Sequence, residues 1–582
     1  VKLTRRTLLA TPLALVAQGS LDRRAIISRH NPTLRAFDPR SPLTVGNGEF
    51  CFTADCTGLQ TFPKLYEKDL TLSTMSQRGW ETSPNRPPGE LRFTEYDTYG
   101  RKVGYPTSST GQAPLFNWLR ENPHRANLGR IGFAIEKPED VKGIQQTLDL
   151  WTGILHSEFE WQGKQVKVQT CCHPTQNGIA FRVQGAEIPI VQDGRHLTVA
   201  DPDAAFRAST DHWQRFWSTG AAIDLSASPE LERRVVLSQY LTAIQCAGSL
   251  PPQETGLTCN SWFGKFHLEM HFWHAAHFAH WKRPELLARS LDYYTSILPS
   301  AREKARSQGY KGARWPKMTD ASGYDSPSPI GPLLIWQQPH PIILCDLVAR
   351  PSGSQAYRDI VFESAEFMAD FAHYDAKTDR YILGPPVIPA QENHPPRETW
   401  NPTFELEYWD YALEIAQQWR LRAGMTRHPK WDDVRNKLSV LPVKDGVYLA
   451  HENCPQTFTE RNRDHPSMLG ALGVLPGRRV DRETMRRTLK KVFAEWKWED
   501  TWGWDFPMVA MTAASLGESQ LAIDALLMKT PKNTWLPNGH NYQRPNLPCY
   551  LPGNGGLLLA IAHMVRLHAF PKAWNVRVEG FS

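Results

Sequence analysis

Three carboxylates stand out as candidates for chemistry. Glu392 lies in residues 382–396, ILGPPVIPAQENHPP, beside Asn393 and among Pro385, Pro386, Pro389, Pro395 and Pro396. Proline fixes φ, so this loop is stiff, and stiffness suits an acid that must not stray from its substrate. Asp464 and Asp505 each stand two residues before a proline, Pro466 and Pro507, where helices are expected to begin. A carboxylate beside a helix N-terminus is stabilised as the anion by unpaired N–H groups, which suits a general base and equally suits an N-cap. An acid and a base on different loops are the equipment of general acid–base catalysis. Asp505 ranks first as the base because Trp502 and Trp504 flank it, Asp464 follows beside His465, and Asp500 is third. Glu398 lies beyond the last of the five prolines. Glu405 and Glu407 fall inside the next helix, where i,i+2 positions face different ways and one can support the loop from behind.

Two further clusters mix rings with hydrogen-bonding groups, the combination that grips a sugar's C–H faces and hydroxyls. Residues 258–281, TCNSWFGKFHLEMHFWHAAHFAHW, offer Trp262, Lys265, His267 and Glu269. Residues 309–341 offer Arg314, Trp315 and Asp320 in a stretch too rich in glycine and proline for a long regular element. Asn393 and Trp502 complete the expected substrate contacts. HLEMH lacks the glutamate of a zinc-binding HExxH helix, and no cysteine is read as pairing with histidines at a zinc-ligand spacing, so no metal and no cofactor is expected.

Positioning these groups requires a large scaffold. A chain of 582 residues exceeds one ordinary core, so more than one domain is expected. Residues 20–215 alternate in period two, as in KQVKVQTCCH and GIAFRVQGA, with hairpin turns at Gly100 and Gly163. A β-sandwich accounts for them, with helical periodicity only in short stretches such as 143–150. Residues 216–250 read as a helical linker. From 251 to 582, amphipathic segments recur between Trp-, Gly- and Pro-rich loops, including 466–475, and fit a toroid of helical hairpins. The fold class is therefore α+β and multidomain. Residues 1–19 join a basic head, Arg5–Arg6 included, to a short apolar run and resemble a twin-arginine export signal. A periplasmic or secreted protein, not stably inserted in a membrane after signal removal, follows as an expectation. A net charge of +6 without a Lys/Arg run excludes nucleic acid as a probable class of partner. A carbohydrate is the expected partner, and the chain is expected as monomer or homodimer. Nine cysteines leave any disulfide pairing open.

Several of these stretches resemble known families. GKFHLEMHFW, VGNGEFCFTADCTG and above all residues 284–316, ending GYKGARWP, resemble glycoside hydrolase family 65, the maltose- and kojibiose-type phosphorylases and hydrolases. HPSMLGALGVLPGRRV, DTWGWDFPMVAMTAASLG and LPGNGGLLLAIAHM resemble the α-L-fucosidases of family 95. Both resemblances imply an (α/α)6 barrel and cleavage with inversion. Glu392 takes the place of the family 65 acid, and the following Asn393 matches family 95. The assisting Asp of family 95 has no counterpart in Pro552-Gly553-Asn554-Gly555, and the sugar-gripping Asp of family 65 is missing around 265–269. The serine-rich phosphate loop of family 65 phosphorylases matches 500–506, where acids stand instead and would repel phosphate.

The resemblance thus implies an exo-acting inverting hydrolase of an α-linked glycoside, and the signal-like residues 1–19 add the expectation that it is exported. A phosphorylase, a polysaccharide lyase using His267, Arg314 and Tyr324, and a carbohydrate-binding protein without catalysis are the alternatives.

Overall fold

The computed structural model describes residues 20–194, 198–350 and 353–581, so the expected export signal at 1–19 lies outside the described residues. Its first part is strand-rich. β1 (Thr33–Leu34), β5 (Val141–Asp149), β6 (Ile154–Trp161), β7 (Lys164–Cys172) and β8 (Ile179–Gly185) form an antiparallel sheet in the order β1-β5-β6-β7-β8. β2 (Leu43–Gly46), β3 (Phe50–Ala54) and β4 (Thr74–Ser76) form a second antiparallel sheet, and β2 and β3 pack on β7. β7 buries Val166, Val168 and Thr170 and exposes Lys167 between them, the period of a strand with one covered face. The turns expected at Gly100 and Gly163 are present. Tyr99–Gly100 and Gln162–Gly163 all have positive φ, between 50° and 80°, as two-residue hairpin loops require.

Two local expectations are corrected. Residues 143–149 belong to strand β5, and 150 to the turn after it, not to a helix. Gly143 takes φ +61° and the register slips between Lys142 and Gln145, so a bulge disturbs the alternation that would have marked the strand. Residues 202–218 form helix α1 (Pro202–Ser218), capped by Asp201 and packed on β6, β7 and β8, inside the stretch read as strands.

Residues 216–250 do more than connect. Ala222–Asp224 pairs with Arg577–Glu579 near the other end of the chain, and α2 (Pro229–Gln245) packs against both β2 and the last long helix.

Beyond residue 250 the described α-helices are α3 (His271–His280), α4 (Pro284–Ser307), α5 (His340–Ala349), α6 (Arg358–Phe371), α7 (Thr403–Arg422), α8 (Pro429–Lys437), α9 (Arg482–Glu495), α10 (Asp505–Ser515), α11 (Ser519–Leu526) and α12 (Leu551–Arg566). Their packing closes a ring: α3 touches α5, α5 touches α7, α7 touches the 3-10 turn Ser467–Ala471, that turn touches α10, α10 touches α12, and α12 returns to α3. α4, α6, α8, α9 and α11 lie against members of this ring. α10 and α12 are buried along almost their whole length, so they are apolar all round rather than amphipathic. The helix expected at 466–475 is only that 3-10 turn. Gly473, at φ +110°, leaves the helical region and presses so closely on the Met511 backbone that a Cβ there would lie 2.5 Å from the carbonyl carbon. Among the described residues no helix is long and apolar enough to cross a membrane.

Ring closure depends on one close approach. Gly555 in α12 lies against the Trp273 carbonyl of α3, where an added Cβ would sit 2.0 Å from the oxygen. Backbone cannot yield as a flexible side chain does. Gly555→Ala is therefore expected to destabilise the fold by about 3 kcal/mol, read as a lower urea midpoint. A midpoint within error of wild type would show that closure does not depend on this contact.

Candidate active site

The residues with chemical potential lie on the segments that lead into the ring helices, and direct contacts tie these segments together at one end of the ring. The Glu269 carbonyl, before α3, meets His340 Nε2 at the start of α5 at 2.9 Å. Ile388 N–H donates to the Leu333 carbonyl, joining the segment before α7 to that before α5. Gln391 Nε2 donates to the carbonyls of Arg461 and Arg463, joining the same loop to the one before the 3-10 turn. His465 bonds Asp505, Trp502 packs 5.8 Å from Tyr550, and Tyr550 Oη reaches Met270 Sδ, which returns to α3. The helix N-termini therefore surround one region and bias it towards anions.

Carboxylates and cations alternate across that region. Lys317 Nζ lies 3.0 Å from Glu269 Oε1 and 3.8 Å from Glu392 Oε1. Burial lowers the Lys317 pKa, but Glu269, Glu392 and Glu254 outweigh it and hold the lysine above its usual range. Burial raises Glu269, and Glu392 adds to the rise, while Lys317 and His267 oppose it. Burial would likewise raise Glu254, but His267 with Lys317 and Arg544 holds it below the usual carboxylate value. His267 Nδ1 stands 3.6 Å from Glu254 Oε1 and 3.5 Å from Glu269 Oε1. Buried atoms without a protein hydrogen-bond partner collect here: both ring nitrogens of His267, Glu269 Oε2, Glu254 Oε2, Gln391 Oε1 and Trp504 Nε1. Buried polar groups need partners, and water or a polar ligand would supply them.

The second carboxylate group is held differently. Asp505 is fully buried and its oxygens are occupied, one by His465 Nδ1 at 2.8 Å and the other by Trp502 N–H at 2.8 Å. Both oxygens of Asp505, expected as the foremost base, are thus already engaged by protein partners, which argues against that role. Burial lowers the His465 pKa, but Asp505, Asp464 and Glu392 outweigh it and raise it to about 9. An imidazolium therefore lies between the two aspartates at neutral pH. Asp464 is the more accessible one, its side chain 19% exposed, with Trp502 Nε1 donating to Oδ1 at 3.0 Å. Burial raises its pKa to about 6 against His465, with Glu392 and Asp505 adding to the rise. Glu392 and Asp464, on different loops, thus feel each other's charge. Asp500 shows no comparable engagement with His465.

The proline loop is secured from behind. Glu405, within α7, accepts Ala390 N–H at 2.7 Å, two residues before Glu392. Glu407 instead accepts the N–H groups of Arg478 and Arg479. Asn393 donates to the Arg463 carbonyl at 3.2 Å, so it braces the loop, and Glu398 is exposed.

Lys265, Asp320, Arg314 and Trp315, expected as substrate contacts, are instead committed to partners within the protein. Lys265 Nζ is committed to Asp320 Oδ2 at 2.8 Å and to the Asn122 carbonyl, while Asp320 Oδ1 accepts from Ser322. Arg314, 1% exposed, bonds Tyr105 Oη, Gln308 and the Pro332 carbonyl, pinning the helical part to the strand-rich part. Trp315 is fully buried and donates to Ser364. Trp262 is 41% exposed beneath the Arg120 guanidinium. With Arg314 so committed and Tyr324 67% exposed, the lyase set is not assembled.

Sequence reasoning passed over Glu254, Lys317, Tyr550, Lys532 and Arg544. Lys317 lay within the second cluster, whereas nothing local marks Glu254 in PPQETG. It also passed over His394, His451 and Cys454, buried residues whose ligand atoms all lie within 4.8 Å of one another. The expectation that no histidine accompanies a cysteine at metal-ligand spacing is thus corrected: His451-Glu-Asn-Cys454 has that spacing.

No family model matches the chain, and no curated protein matches it by sequence. Among solved structures, a human-microbiome protein assigned as a kojibiose phosphorylase superposes over 91% of this chain and 88% of its own, with a TM-score of 0.66 and 9% identity. The likeness is one of fold. A glycosidase variant in complex with glucose matches at TM-score 0.42 and 14% identity over 59% of this chain and 99% of its own. A family 92 α-mannosidase from Bacteroides thetaiotaomicron in complex with mannoimidazole matches at 0.35 and 10% over 94% and 84%. These last two add nothing to the argument. The likeness is consistent with the resemblance to the (α/α)6 glycoside hydrolase superfamily and does not separate family 65 from family 95.

The raised His465 pKa has a sign that stability reports. A histidine whose folded value, about 9, exceeds its ordinary 6.5 contributes stability fully below pH 6.5 and loses it as pH rises through 9. Asp505→Asn removes the bonded anion, so the His465 ring should titrate at lower pH by NMR and the loss of Tm between pH 7 and 10 should shrink. An unchanged His465 titration would rule out this pairing.

Proposed function

We propose that this chain is a glycosidase with a β-sandwich domain followed by an (α/α)6 barrel in which the 3-10 turn at Ser467–Ala471 fills one inner position. It cleaves the terminal residue of an α-linked glycoside with inversion. The observation that carries this reading is that two loops bearing carboxylates are bonded side by side: Gln391 and Asn393, which flank Glu392, both donate to the carbonyl of Arg463, next to Asp464. Inverting enzymes hold their acid and base roughly 6.5–9.5 Å apart, with room for a water between base and anomeric carbon. Glu392 is the acid, held by the prolines and by Glu405. Asp464 is the base: a pKa of about 6 makes it stronger than an ordinary carboxylate yet ionised at neutral pH. Trp502 lines the sugar, and Lys317, Glu269, His267 and Glu254 grip its hydroxyls. The fold likeness to a protein assigned as a kojibiose phosphorylase is in keeping with an α-glycoside substrate.

Phosphorolysis is the second reading, and a specific feature favours it. Lys532 Nζ lies 5.0 Å and Arg544 Cζ 5.4 Å from the Trp502 ring centroid, so cations accompany the acids that had argued against phosphate.

A panel of α-glycosides, assayed with and without inorganic phosphate, separates these readings, and NMR of the first-formed sugar gives the stereochemistry. Glu392→Gln should lose about 10²–10⁴-fold on substrates with poor leaving groups and less on nitrophenyl glycosides, whereas Asp464→Asn should lose as much on both. The wild-type rate should climb as pH rises through about 6, where Asp464 ionises. Unchanged turnover by Glu392→Gln on a poor leaving group would remove Glu392 from the acid role.

A further inference from the structure

Beside the proposed catalytic loop, a second cluster has the chemistry of a metal site. His394 follows Glu392 by two residues and is 5% exposed, while His451 and Cys454 are 2% and 3% exposed. His451 Nε2 and His394 Nδ1 face each other at 3.2 Å, and the rings are nearly perpendicular, with an interplanar angle of 84°. One ligand atom from each of the three residues lies within 4.8 Å of the other two.

Local backbone explains the convergence. Cys454 N–H donates to the His451 carbonyl at 3.1 Å, closing a tight turn that brings the two side chains together. The turn is itself anchored: Ala450 N–H donates to Thr457 Oγ1, Thr457 Oγ1 donates to the Cys454 carbonyl, and the Ala450 carbonyl accepts Thr403 N–H at the start of α7. Asn453 Nδ2 donates to the Glu398 carbonyl, two residues past the proline loop. The loop carrying His394 and the turn carrying the other two are therefore held together before any metal enters.

We propose that His394, His451 and Cys454 bind a zinc ion that staples the proline loop to the 451–454 turn. Two imidazoles and a thiolate are a borderline-soft set that suits zinc better than magnesium or calcium, which take oxygen ligands. Zn–N bonds of about 2.05 Å in a tetrahedron put neighbouring nitrogens about 3.3 Å apart, close to the facing nitrogens here. Binding releases the Cys454 thiol proton to solvent and leaves the imidazoles neutral, each contributing one lone pair. The fourth position is left to a water or another small ligand. The site lies behind the loop that bears Glu392, so the metal acts on its position and takes no part in bond cleavage. The proposal stands whether or not the glycosidase reading holds.

The test uses untagged full-length protein. After loading with zinc and desalting, metal analysis should find roughly one zinc per chain, and Cys454→Ser and His394→Ala should each lose it. Removal by dipicolinate should lower the wild-type Tm and re-addition of zinc should restore it. Cobalt(II) substitution should give a thiolate charge-transfer band in wild type that Cys454→Ser lacks. All nine cysteines are buried, so alkylation mapped by mass spectrometry on wild type provides a readout if the variants fail to fold: zinc should protect Cys454 selectively. Zinc that washes off on desalting, a Tm indifferent to chelator, or alkylation of Cys454 unaffected by zinc would each overturn the proposal.

Discussion

The site depends on the closure of the helical ring, and closure depends on a glycine. Gly555 lets α12 lie directly on the α3 backbone at Trp273, and through that contact the last inner helix meets the first. Asn554 beside it donates to Ser238 and to the Gly539 carbonyl, tying α12 to α2 as well. Once the ring is closed, the segments entering α3, α5, α7, the 3-10 turn, α10 and α12 have to meet at one end. That meeting is what brings carboxylates from distant parts of the chain into one charged region. Shape thus precedes chemistry here: residues separated by more than a hundred positions share a site because their helices share a ring.

Charge balance makes the crowding tolerable. Buried carboxylates repel one another strongly when water is excluded. Lys317 between Glu269 and Glu392, and His465 between Asp464 and Asp505, interrupt that repulsion. His465 also stacks on Trp504 at 4.1 Å, and Trp504 stacks on Trp273 at 4.6 Å, so the imidazolium is fixed by rings as well as by charge. The aspartate deepest in the protein, Asp505, bonds the histidine, while the side chain of the shallower Asp464 is 19% exposed. The proline loop follows the same plan: its own residues stiffen it, and Glu405, Gln391 and Asn393 attach it to neighbouring segments.

Much of this was legible along the chain. Period-two alternation, the Gly100 and Gly163 turns, most of the helices and the stiffness of 382–396 follow from the preferences of neighbouring residues. Exceptions also have local causes. Strand 141–149 is interrupted by a bulge at Gly143, and the segment at 466–475 is broken by Gly473. The placing of Glu392 and Asp464 on loops, and of Asp505 at the mouth of α10, was equally readable from the prolines that follow them.

What the sequence by itself determined was therefore the elements, their breaks, and which side chains stand at helix mouths, because φ/ψ preference and periodicity act between residues close in the chain. What only the tertiary structure decided was which of those side chains remain available. Arg314 looked like a sugar contact until Tyr105, 209 residues away, was seen to accept its hydrogen bond. Asp505 ranked above Asp464 until His465 and the Trp502 N–H were seen to occupy both its oxygens. His394 joins His451 and Cys454 only across a gap of 57 residues. A polar side chain's role is set by whichever partner reaches it first in space, and that partner is chosen by packing rather than by chain order.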